Sequence, residues 1–165
     1  MGVLKFLWKL EEYFVTVTLA IMATVTFGAV VSRFSFHYPL PWSEELVRYL
    51  FCWTSMVGSS IAIRNGAHIG INLVTDRLPA KVKSPVLILS YLFAIGFCVM
   101  LFMIGYQQMM AQSTQLSPAL EVNMAFVYAS VPVGSVLMII SFIVTMVREL
   151  DLRPAVVNRG SKEVQ

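Results

Sequence analysis

Ser43-Glu-Glu-Leu-Val-Arg-Tyr-Leu-Phe-Cys-Trp-Thr-Ser-Met-Val-Gly-Ser-Ser-Ile-Ala-Ile63 is the stretch on which the fold turns. Its uncharged part, Tyr49 to Ile63, has 15 residues. That is too few to cross a hydrocarbon core about 30 Å thick at ~1.5 Å per residue. Begun at Ser43, the stretch has 21 residues and spans, provided Glu44, Glu45 and Arg48 occupy the first turns of a helix. That placement is chemically sound. Ser43 would cap the helix, the two glutamates favour its positive N-terminal end, and Arg48 can snorkel to the headgroups. Glu44 and Arg48 stand four apart and Glu45 and Arg48 three apart, a spacing that predicts one ion pair along the helix. Trp42, just before it, is an interface anchor.

Three further apolar stretches are plain once the charges are marked. Tyr13 to Ser32 is 20 residues without a charge, and Val86 to Ala111 and Val122 to Val147 are 26 each. Each is long enough to span. The expected fold class is therefore an all-α membrane protein with four transmembrane helices at about 13–34, 43–63, 85–111 and 122–147. They form one membrane domain over residues 1–150, followed by a polar tail, 151–165. The first stretch exceeds a signal-peptide apolar region, and no small-x-small cleavage site follows it, so it reads as a retained helix. Ahead of it, Lys5, Lys9 and Glu12 recur at spacings of four and three among Val3, Leu4, Phe6, Leu7, Trp8 and Leu10. This predicts a short amphipathic helix lying in the interface.

The composition agrees. Of 165 residues, 58% are hydrophobic and 13% charged, about half the charged share of a soluble domain. Net charge is +3, too modest to imply nucleic acid; what matters is its distribution. Lys5, Lys9, Arg64, Arg77, Lys81, Lys83, Arg148, Arg153, Arg159 and Lys162 fall on one side of the predicted spans, leaving only Arg33 and Arg48 on the other. The asymmetry places both termini in the cytoplasm.

Ion-coupled transport needs an ionisable group near the membrane midplane. None of the four stretches has one: the acidic residues Glu11, Glu12, Glu44, Glu45, Asp76, Glu121, Glu149, Asp151 and Glu163 all lie at ends or in loops. His37 and His68 lie in loops on opposite sides and cannot share a metal. Cys52 and Cys98 sit in apolar stretches without a CxxC, which reads as two buried or lipid-facing thiols. No nucleophile–base pair or phosphate-binding glycine loop is present, so neither catalysis nor a cofactor is expected. Small residues recur at helical spacing, Thr24, Gly28 and Ser32 on the first helix and Ser55, Ser59 and Ala62 on the second, beside Gly58. Such stripes let helix backbones approach closely. They read first as internal packing of the four-helix unit, with a subunit interface as the alternative. Pro132, near Gly134 and Ser135, predicts a kink in the fourth helix. Arg33 and Glu121 belong to the same face as the Glu44, Glu45 and Arg48 cluster, whose roles divide between fixing that helix end and meeting a partner.

The run Trp42 to Trp53, then Gly58-Ser-Ser-Ile-Ala-Ile-Arg64-Asn-Gly-Ala-His68-Ile, resembles the small membrane subunit (Q-type) of the tripartite ATP-independent periplasmic (TRAP) transporters. Ser117-Pro-Ala-Leu-Glu121, Tyr128, Pro132-Val-Gly134 and Arg33 fit the same pattern, and the resemblance covers about residues 10 to 150. It implies a scaffold in the bacterial inner membrane, among membrane lipids. Its partners would be a large multi-spanning subunit, which holds the substrate and sodium sites and moves as an elevator, and a periplasmic substrate-binding protein. The cargo would be a carboxylate such as a C4-dicarboxylate or sialic acid. By analogy, Arg33, Trp42, Glu44, Glu45, Arg48 and Glu121 would serve the outer face, and Arg64 and His68 the cytoplasmic end of the second helix. The rival reading, a membrane anchor for a redox enzyme, would want paired cysteines or intramembrane histidines, and the sequence has neither.

Overall fold

The computed structural model describes residues 2–65 and 80–160; His68 lies outside the described residues. It is helical, with no strand among the described residues: α1 (Gly2–Ser35), α2 (Pro41–Arg64), α3 (Ala80–Ala111), α4 (Met124–Tyr128) and α5 (Ser130–Gly160). Four stretches of it are long and apolar enough to cross a membrane: Lys5–Ser35, Pro41–Arg64, Pro85–Ala111 and Met124–Arg148.

The N-terminal dozen residues are helical, but they are the first turns of α1 rather than a separate element. No glycine or proline stands between Val3 and Phe27 to interrupt it. The 34 residues of α1 make a rod of about 51 Å, longer than the hydrocarbon core. It ends where the amides of Phe36 and Tyr38 donate to the Ser32 carbonyl (3.1 and 3.2 Å) and Ser32 Oγ donates to the Tyr38 carbonyl (2.7 Å). His37 then turns the chain with a left-handed φ of 54°. The connection to α2 is short, so α1 and α2 are antiparallel neighbours.

α2 begins at Pro41 rather than Ser43. Proline is at home in a first helical turn, where its missing N–H costs nothing. Ser43 is thus already inside the helix, and its hydroxyl donates to the Leu40 carbonyl (2.6 Å) instead of accepting from a free amide. At the predicted kink the fourth span is interrupted only at Ala129, one turn before Pro132, where the backbone stays helical (φ −59°, ψ −21°) and the amide still donates to the Ala125 carbonyl (2.9 Å). Pro132 has no N–H for the Tyr128 carbonyl four residues back and its ring crowds that carbonyl, so the helix yields there. α5 also runs on past Val147 to Gly160.

The helices do not close into a bundle. Among the described residues α1 approaches only α2, α2 lies between α1 and α5, and α5 with α4 lies between α2 and α3, giving a layer in the order α1–α2–α5–α3. The core sits at the α3–α5 seam, where Leu87, Tyr91, Cys98, Met138 and Phe142 are buried together with Ile63 of α2. Two glycines set the spacing. A Cβ on Gly134 would lie 2.6 Å from Met56 Cβ, and one on Gly105 would lie 2.7 Å from Val131 Cγ1. α5 is therefore pressed against α2 on one side and α3 on the other. The stripes expected to do this packing do not. Thr24, Gly28, Ser55, Ser59 and Ala62 are exposed, and Gly28 and Gly58 face open space. The small residues used inside are Ser130, Gly134, Ser135 and Ser141 of α5.

Candidate functional site

Polar chemistry gathers at the two ends of the layer and is built differently at each. At the end where α2 begins, the predicted helical ion pair with Arg48 does not form. Glu44 turns instead to Arg33 at the end of α1 (3.6 Å), with both side chains largely exposed at 68% and 62%. The reason is local: the tight connection brings the last turn of α1 beside the first turn of α2. Glu45 points the other way, into the protein, and is only 8% exposed. One carboxylate oxygen accepts from the Tyr49 hydroxyl, and the other accepts the amides of Ala119 (2.9 Å) and Leu120 (3.0 Å).

Glu45 thereby pins the loop between α3 and α4. That loop is also tied by Ser117 N–H to the Val122 carbonyl (2.9 Å) and Met124 N–H to the Gln115 carbonyl (2.9 Å). Asn123 caps α4, accepting the Ala125 amide (2.9 Å) and donating to the Ser113 carbonyl (2.7 Å). Glu121 takes a left-handed φ of 53° and its side chain is exposed. Trp42 is 41% exposed beside this end. Arg48 is exposed and forms no ion pair among the described residues.

The opposite end carries a buried cluster that sequence reading anticipated only through Arg64. Arg64 Nη1 lies 2.9 Å from Glu11 Oε2, with the two side chains 7% and 10% exposed. Glu12 Oε1 stands 3.5 Å from Nη2, and the guanidinium sits over the Trp8 ring at 4.9 Å. Ser60 Oγ donates to Glu11 (3.3 Å) and shares a hydrogen bond with Ser141 Oγ (3.0 Å). The cluster joins three helices, Glu11 on α1, Arg64 and Ser60 on α2, and Ser141 on α5. Glu11 was read as one more end charge. The signal that would have found it is the spacing of Trp8, Glu11 and Glu12 on one face of a continuous helix. Between the two ends, Phe14, Trp53 and Phe126 run across the layer with ring centroids 6.4 and 5.6 Å apart.

The arrangement offers four exposed charges at one end, Arg33, Glu44, Arg48 and Glu121, a neutralised buried pair at the other, and an apolar middle. The sequence model for the DctQ component of the tripartite ATP-independent periplasmic transporters matches residues 22–152. The chain belongs to that TRAP family. It is 29% identical over 82% of its length to the sialic acid TRAP transporter small permease protein SiaQ of Vibrio cholerae, covering 78% of that protein. It is 27% identical over 88% of its length to the ectoine TRAP transporter small permease protein TeaB of Halomonas elongata, covering 76% of it. Against the sialic acid TRAP transporter permease protein SiaT of Haemophilus influenzae it is 29% identical over 85% of its length, but spans only 23% of that longer chain. A TRAP small permease is a multi-pass transporter subunit and not an enzyme, which sets aside the redox-anchor alternative.

Proposed function

We propose that this chain is the small subunit of a sodium-coupled TRAP importer of an organic acid, acting as a non-catalytic scaffold for the large multi-spanning subunit. The observation that carries the reading is the open layer. Among the described residues α1 packs against α2 alone and α3 against the α4–α5 segment alone, and the small residues Gly28 and Gly58 stand on surfaces with nothing of this chain within 4 Å of an added Cβ. Small residues on a lipid-level face suit close approach by another helix. SiaT, in which the matched region is under a quarter of a permease protein, supports a small subunit that works beside a larger one. Relatives named for sialic acid and for ectoine match almost equally well, which favours a role that does not select the cargo.

In this reading both termini are cytoplasmic in the bacterial inner membrane. The first turns of α1, with Lys5, Trp8 and Lys9, meet the inner headgroups, and Arg33, Glu44 and Glu121 face the periplasm. Arg33 and Glu44, being exposed, offer the polar contacts for a substrate-binding protein. Co-expression with the neighbouring large permease tests the assembly. Stoichiometric co-purification is expected, weakened by Gly28→Leu with Gly58→Leu at unchanged stability of the isolated small subunit. A chain that purifies alone and transports without partners would overturn it.

A further inference from the structure

Between α2 and the α4–α5 segment lies a groove of about 560 Å³. Cys52, Met56, Met124, Val127 and Val131 form its walls, with Glu45, Arg48 and Pro118 lining the end nearest the start of α2. From Arg48 to Met56 is eight residues, so the groove runs roughly 12 Å into the apolar layer. A helix about 10 Å wide would displace roughly 900 Å³ over that depth, more than the groove offers. A narrower occupant fits, and methionine walls adapt to a flexible one.

The charge at the groove's end decides its chemistry. Glu44 is engaged by Arg33, and both oxygens of Glu45 are taken by Tyr49, Ala119 and Leu120. Arg48 is thus an exposed cation without an ion-pair partner among the described residues, standing over an apolar channel. A guanidinium binds a phosphodiester with paired N–H donors. We propose that this groove holds an acyl chain of a membrane phospholipid, with Arg48 on the lipid's phosphodiester.

Native mass spectrometry of the full chain in mild detergent tests this, using phosphatidylglycerol, phosphatidylethanolamine and the phosphate-free diacylglycerol as probes. One copy of either phospholipid is expected to survive activation that strips diacylglycerol. Arg48→Ala should weaken phospholipid retention about fivefold, the worth of one charge at a membrane surface, and Arg48→Lys should restore most of it. Ser55→Phe, which fills the groove wall, should lower retention while leaving Arg48 in place. Equal retention of phospholipid and diacylglycerol by the unaltered chain would overturn the proposal, and that comparison needs no variant. So would Arg48→Ala and Ser55→Phe chains that bind as the unaltered one does. Loss of the bound lipid on assembly with the large permease would mean that a protein segment fills the groove, and would overturn it too.

Discussion

Replacing Glu11 by alanine is expected to destabilise the fold by about 3 kcal/mol, and replacing Arg64 by methionine by nearer 5. The ordering follows from what each change leaves behind. With Glu11 gone, the Arg64 guanidinium keeps Glu12 at 3.5 Å and the Trp8 ring at 4.9 Å. With Arg64 gone, Glu11 keeps only the Ser60 hydroxyl at 3.3 Å while remaining 10% exposed. An uncompensated buried charge is the dominant cost in both. For a chain of this size such losses correspond to a fall in melting temperature of roughly 6 to 20 °C. It would be read by tryptophan fluorescence and circular dichroism in one detergent. The double variant Glu11→Leu with Arg64→Met should recover most of the loss, because an apolar pair of similar volume is close to neutral where an ion pair was buried. With Glu11→Leu and Arg64→Met as its singles, the cycle would then give a coupling energy of about 6 kcal/mol, well above the scatter for independent sites. Two single variants within about 1 kcal/mol of the parent, or a cycle that simply adds, would refute the view that this pair holds α1 to the layer.

Other outcomes follow from the packing and from the end where α2 begins. Gly134→Ala should cost about 1–3 kcal/mol, because its Cβ would stand 2.6 Å from Met56 Cβ. Gly28→Ala and Gly58→Ala, with nothing within 4 Å, should be neutral or gain up to ~1 kcal/mol in the isolated subunit; the same melting assay ranks all three. Glu45→Ala should speed hydrogen exchange at the amides of Ala119 and Leu120 while those of α5 stay protected, and unchanged exchange would contradict the pinning of that loop. Arg33→Glu breaks an exposed pair and should change stability by less than ~1 kcal/mol. In the assembled transporter it should lower uptake and binding-protein docking, and unchanged values of both would remove Arg33 from the docking surface.

What sequence reading reached and what it missed divide along a physical line. Span and apolarity are properties of single segments, so the four crossings were legible, including the second with its three charges drawn into the first turns. Partner choice depends on which helix lies beside which, and here reading along the chain misled. Glu44 and Arg48 have a favourable spacing on one helix, yet Arg33 arrives across a short connection and captures Glu44, leaving Arg48 without an ion pair among the described residues. The small-residue stripes of the first two helices were visible, but a stripe does not declare which side of a layer it faces. Gly134 does the packing because it faces Met56 of α2 with no room for a Cβ, a fact of the neighbour rather than of the stretch it stands in. Proline's effect was legible in kind but shifted by a turn, since the strain falls on the carbonyl four residues earlier.

The layer also explains why so much of this chain's polarity lies at its ends. Between helices in a bilayer there is no hydrophobic driving force, because lipid tails solvate leucine as well as a neighbouring helix does. A flat row must be held by other means, and three are present: close contact at Gly134 and Gly105, the α3–α5 core seam, and polar ties near the membrane boundaries. Among the described residues α1 has one neighbour, and its ties to it include Glu11 with Arg64 at one end, Arg33 with Glu44 at the other, and the Phe14–Trp53 contact between. The first of these is buried and the second is exposed. The end where α2 begins, held by an exposed, screened pair, can move at small cost, whereas the opposite end is anchored. Any movement of α1 relative to α2 should therefore pivot about the Glu11–Arg64 cluster and be largest at Arg33.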